Sequence, residues 1–211
     1  LASKMVIGNF EIGGIYPAGF VYFFTSDKTL RTSSDLARST IAVMEGDMAA
    51  LEMTRFLGAK IKTADATTMG TMLKSGSVDV CYAPATSYEV LKLDKGITPN
   101  GGVIGFPLSQ QTFQVVLNTA AWPKGFGQWG RTYAASQFDR GQRVVAMADS
   151  ALSTRLLSIS AVDKSKYEDT FKTIRLKGIQ RGVYNRGVLN LLKRIRCYHN
   201  RNHVECSTDD E

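Results

Sequence analysis

The chain has 211 residues, 44% hydrophobic and 21% charged, with a formal net charge of +7. That is ordinary globular material, long enough to bury one or two cores, which excludes a low-complexity or disordered polymer. No apolar run approaches the roughly 20 residues of a membrane-spanning helix.

In chain order, Gly13, Gly14, Pro17 and Gly19 read as a turn, followed by a strand at 20–24 that is apolar on both faces, as a central strand is. Residues 27–35 are polar and turn-like and read as a connection between two bodies. The stretch 34–88 is the most regular part. A β-branched strand at 40–43 runs into the loop 44–47, and a helix follows that Asp47 can cap and Gly58 ends. A second strand at 60–63, a helix ending at Gly76 and a third strand at 78–80 complete the pattern. Strands alternating with helices of this length predict an α/β domain with a parallel sheet. Ligands of such sheets sit beyond the carboxyl ends of the strands, which places 44–47 and 82–88 at the rim of a pocket.

Residues 97–105 are a Pro/Gly-rich connection without a period and read as another crossing. Residues 111–118 alternate as a strand does, and 122–127 form a turn. Helical spacing resumes over 133–147, 165–176 and 188–195. Met53, Met69 and Met72 fall on helical stripes and read as core.

The basic excess concentrates in 175–201, with His199 and His203 nearby, while the rest of the chain is nearly balanced. No zinc-module spacing, recognition helix or RNA-binding aromatic motif accompanies it, so it reads as a solvated face rather than a nucleic-acid site. Cys197 and Cys206 lie close together in a polar tail and read as a disulfide, hence an oxidising compartment. The alternative for that tail is a metal held by Cys197, His199, His203 and Cys206. Cys81, in an apolar strand, reads as a small buried hydrophobe.

No P-loop, nucleophile elbow or zinc-protease motif occurs, and both histidines lie in the tail, far from any strand end. A catalytic pair is therefore hard to build, and neither catalysis nor a cofactor is expected.

Several motifs together resemble the second lobe of TRAP-type periplasmic solute-binding proteins. They are Asp35-Leu36 before Ile41 and Val43, then Leu57-Gly58-Ala59 with Ile61, then Gly76 with Val78-Asp79-Val80. Residues 9–19, Ala83-Pro84-Ala85 before Tyr88, Gly101-Gly102-Val103 and 191–197 resemble a side branch known simply as solute-binding proteins. The resemblance implies a two-lobed α/β fold of the type II periplasmic-binding class, lacking part of its first lobe, since such receptors extend further at the amino end. It divides the chain into the end of the first lobe (1–33), a βαβαβ second lobe (34–100), a return to the first lobe (101–150), and C-terminal helices with a basic tail (151–211). It implies a monomeric receptor that captures a small polar solute and delivers it to membrane transporter subunits. The alternatives are an envelope interaction protein acting through the basic tail, or an enzyme on the same fold.

A pocket between lobes needs apolar walls and a few placed polar groups. Tyr16, Phe20, Tyr82 and Tyr88 are candidate walls; Glu45, Asp47, Thr86, Ser87, Gln111, Thr112 and Gln114 are candidate polar contacts, each also readable as ordinary structure. In the family an arginine on the strand after the Asp-Leu turn clamps a carboxylate. Ala42 stands at the matching position, so that role does not carry over, and the ligand is expected to be neutral, polar or cationic. Arg131 is the candidate charge from the other lobe.

Overall fold

The computed structural model describes residue 2 and residues 5–208. A short β1 (Val6–Ile7) turns back onto β2 (Phe10–Thr25), a single strand of 16 residues. The turn expected at residues 13–19 is instead the interior of this strand. Its glycines and proline are absorbed by register irregularities between Ile12 and Gly14 and between Pro17 and Gly19, where extra residues kink a strand without ending it.

Past β2, residues 27–35 stay against the end of the same sheet. The Ser26 amide donates to the Asp79 carbonyl, and Thr32 and Asp35 form a reciprocal cap on α1 (Ser33–Leu36). The predicted parallel unit then follows: β3 (Thr40–Met44), α2 (Met48–Leu57), β4 (Lys60–Ala64), α3 (Met69–Lys74) and β5 (Val80–Pro84), with β3 parallel to both β4 and β5. Asp47 caps α2 through the Ala50 amide at 2.9 Å, and Gly58 ends it at φ 75°, as read from sequence.

After α4 (Leu93–Ile97), β6 (Gly102–Ile104) and β7 (Ser109–Asn118) both run antiparallel to β2. Two helices, α5 (Phe126–Ser136) and α6 (Phe138–Leu152), stand where one helical stretch is expected. β8 (Leu156–Leu157) pairs with β6, and α7 (Ala161–Gln180) and α8 (Arg186–His199) end the fold. The main sheet order is β4-β3-β5-β2-β6-β8.

Each face of this sheet is covered. One carries Phe24, Ala42, Met69, Leu73, Cys81 and Leu152, under α3, α4 and α6. The other carries Phe23, Ile41, Val43, Met53, Leu57, Phe106 and Tyr167, under α2 and α7. Fully buried side chains such as Phe23, Ile41, Met69 and Leu73 each contribute about 1.5–3 kcal/mol. α5 and α6 lie close to β2 because small residues meet there. A Cβ on Gly130 would stand 2.5 Å from the Gly13 carbonyl, and one on Gly141 2.8 Å from the Pro17 ring.

Cys197 and Cys206 form a disulfide with their Cα atoms 5.7 Å apart. The bond occupies both thiols and so excludes the four-ligand metal site for the tail. Cys81 is free and buried, and burial pushes its thiol far above the ordinary range. Thiol labelling is expected to find no reactive cysteine in the native protein and one, Cys81, after unfolding without reductant. Three reactive thiols after unfolding would contradict the disulfide.

Candidate functional site

β2 places the site. Its carboxyl-terminal part, Val21 to Thr25, pairs antiparallel with β5, with Val21 opposite Pro84, the last residue of β5. The earlier half of β2 therefore projects beyond the carboxyl ends of β3 and β5, where α/β sheets hold ligands. There it pairs with β7, which sets Tyr16 opposite Phe113, Pro17 opposite Thr112, Ile15 opposite Gln114 and Gly19 opposite Gln111. Tyr16, Phe20, Gln111, Thr112 and Gln114 thus share one ladder above the rim. Thr86 ties the rim to that ladder, its hydroxyl donating to the Ala18 carbonyl at 2.9 Å.

The two rim loops meet but part across the sheet. The Tyr82 hydroxyl donates to Asp47 Oδ2 at 2.8 Å and accepts from the Met44 amide at 3.2 Å, on the α2 and α7 face. Both Asp47 oxygens are thus used in holding the loop and capping α2. Tyr184 lies near them; burial first, then the Asp47 charge, raises its hydroxyl pKa. Glu45 is exposed in the turn between β3 and α2. Tyr88 packs on the opposite face, its ring stacked on Phe24 at a centroid distance of 5.8 Å.

Arg131 stands apart. Its Nη1 donates to Glu11 Oε2 and to the Ile12 carbonyl, both at 2.9 Å, and its Nη2 donates to Gln128. These bonds fasten α5 to the start of β2.

On the α3 and α6 face the structure places polar pairs that periodicity does not pick out. Tyr88, Tyr22, Met44, Met72, Leu91 and Ala148 all pack against the core of that face. Burial raises the Tyr88 hydroxyl pKa, opposed by the Arg155 guanidinium beside it. The Tyr22 hydroxyl is raised by burial and then by the Asp149 carboxylate. Asp149 Oδ1 is buried without a hydrogen-bond partner among the described residues, and burial raises that carboxyl pKa. Ala42, fully buried, belongs to this same face, two residues before Met44. A buried carboxylate oxygen beside Tyr22 and without a partner is a group that a donor would satisfy.

Asp149 carries a pH signature. With its folded-state pKa above the unfolded value, the folded protein binds the proton more tightly. Stability from this group is fully present below the unfolded pKa and is lost as pH rises through the folded one. Asp149→Asn is therefore expected to melt at a higher temperature than the parent at pH 7 and at the same temperature near pH 3, read by thermal unfolding. A variant less stable at pH 7 would mean that the carboxylate is already satisfied.

An open groove of about 660 Å³ lies elsewhere, between Phe106, Leu157, Ile159 and the α7 residues Lys164 and Glu168. It is mainly apolar and holds none of the residues above, so chemistry favours the two tyrosine pairs. Among the described residues no helix is long and apolar enough to cross a membrane, and no cluster of metal ligands occurs.

Two Acinetobacter baumannii proteins are similar in sequence. The "Probable solute-binding protein AdeT1" is 28% identical over all 211 residues, which span 69% of its length. The "Probable solute-binding protein AdeT2" is 21% identical over 98% of this chain and 87% of its own. Solved TRAP periplasmic solute-binding proteins share the fold. One from Anaerococcus prevotii with bound glucuronate superposes with a TM-score of 0.68 at 18% identity, over 92% of this chain and 63% of its own. One from Desulfovibrio salexigens with bound orotic acid gives 0.65 at 13% identity, over 88% and 62%. The chain thus spans about three-fifths of the length of these structures. The α/β architecture is that of the TRAP periplasmic receptors, and the family model for solute-binding protein AdeT 1/2 matches residues 1–211: the chain belongs to that family.

Proposed function

We propose that this chain forms the greater part of a monomeric periplasmic receptor that captures a small polar molecule and passes it to membrane transporter subunits, without chemistry and without a nucleic-acid partner. The observation that carries this reading is a set of two polar pairs, Tyr22 with Asp149 and Tyr88 with Arg155, whose tyrosines are part-buried against one core on the α3 and α6 face. In this reading residues 34–100 form the core of one lobe. The amino-terminal half of β2, with β7 and α5, belongs to the other. Hinge motion between them traps the ligand, which binds the closed state more tightly than the open one.

Of the similar receptors, those named above hold orotic acid and glucuronate, and one from Pseudomonas aeruginosa holds L-malate. Here the carboxylate clamp position is Ala42, and the two pairs offer one carboxylate and one guanidinium. That pairing suits a polar ligand that both donates and accepts, rather than a simple monocarboxylate.

Native mass spectrometry of the protein purified from its source is the test, with a retained small molecule expected. Calorimetry with dicarboxylates, sialic acids and keto acids is expected to be silent; micromolar binding of any of them would overturn this ligand class. For the retained molecule, Tyr88→Phe is expected to weaken binding roughly two- to tenfold, the worth of one hydrogen bond to a neutral partner. Unchanged affinity would remove Tyr88 from the site.

A further inference from the structure

α8 carries an apolar stripe that the fold leaves open. At 100° per residue, Val188, Leu191, Leu192, Ile195 and Tyr198 fall within about 120° of its circumference. Each is at least 41% exposed. The opposite side is buried at Leu189 and Lys193, whose ammonium donates to the Thr208 carbonyl. The helix packs chiefly on the turn Val204–Ser207, fastened by the Cys197–Cys206 bond and by a two-pronged Arg196–Glu205 pair at 2.8 and 2.9 Å. No Asp or Glu occurs from 186 to 203, whereas Arg186, Arg194 and Arg201 are exposed.

A helix with a strongly apolar stripe set beside a basic polar side is built to lie in a membrane interface rather than to cross it. We propose that α8 lies flat on an anionic phospholipid surface. Its four aliphatic side chains sit at the acyl boundary, the Tyr198 ring at headgroup depth, and Arg194 reaches the phosphates beside the stripe. Charge decides the occupant. A second copy laid on this face would set arginines against arginines. The convex side of a lone helix offers no groove to grip a protein segment, whereas a bilayer needs none.

The test uses the full oxidised chain and vesicles of phosphatidylcholine with and without phosphatidylglycerol, read by co-sedimentation. Binding is expected to be roughly tenfold or more tighter with phosphatidylglycerol, and to fall with added salt. Leu191→Glu with Ile195→Glu is expected to abolish it while circular dichroism stays unchanged. Arg194→Glu, at an exposed position, is expected to weaken binding only to the anionic vesicles. No binding, equal binding to both vesicles, or full retention in the Leu191/Ile195 variant would overturn the proposal. So would self-association of the parent chain that the same variant abolishes, which would assign the stripe to an interface between copies. Vesicle binding is read without any solute, so its failure leaves the receptor reading untouched.

Discussion

Tyr167→Ala is expected to cost about 3–5 kcal/mol of folding stability, the range for emptying a large aromatic from a core. Tyr167 is fully buried, and its ring stacks on Phe106 at 4.8 Å and on Phe171 at 6.2 Å. Its hydroxyl donates to the Arg31 carbonyl at 2.8 Å, across 136 positions of sequence. The residue thus joins α7, the β6–β7 connection and the loop before α1. Tyr167→Phe removes only the hydrogen bond and is expected to cost about 0.5–1.5 kcal/mol. Urea unfolding of both variants separates the two contributions. Equal losses would show that the ring's packing does not hold α7 on the sheet.

Gly70→Ala is expected to cost about 1–3 kcal/mol, the usual scale for forcing atoms into a filled core. A Cβ there would stand 2.0 Å from the Leu91 carbonyl oxygen, a backbone atom that moves only if the segment before α4 moves. Alanine is the better helix former, so at an open helical position the same change would stabilise. Thermal unfolding therefore gives the sign directly. Leu91, Met72 and Tyr88 pack against the same core, so a shift between α3 and α4 is also expected to weaken solute binding. Unchanged stability would mean that the two helices have slack where the structure shows contact.

What was legible in the sequence is mostly what neighbours along the chain decide. The parallel unit from Thr40 to Pro84 is legible because β-branched strand runs alternate with apolar helical stripes. Asp47 and Gly58 announce the ends of α2 because caps are satisfied within a few residues. Cys197 and Cys206 announce their bond because they lie nine positions apart. The two rim loops are likewise predictable, since strand ends of a parallel sheet share one edge. Their divergence is not: Tyr82 and Tyr88 are separated by six positions yet serve opposite faces, because the strand alternates and then coils into the turn Ala85–Ser87.

Tertiary structure alone decided the rest. Gly13, Gly14, Pro17 and Gly19 carry the local marks of a turn, yet they form the middle of a 16-residue strand. Pairing with β7 supplies that strand's hydrogen bonds, and the small side chains admit α5 and α6. Arg131 looks available for a ligand in the sequence, and the fold pairs its Nη1 with Glu11, distant along the chain. Asp149 and Arg155 look like ordinary helix and turn charges until α6 folds along β2 and sets them beside Tyr22 and Tyr88. Local preferences are settled by a few neighbouring residues and can be read from them. Whether a carboxylate oxygen finds a partner, or an arginine is already engaged, depends on which distant groups the packed sheet brings within a few ångströms.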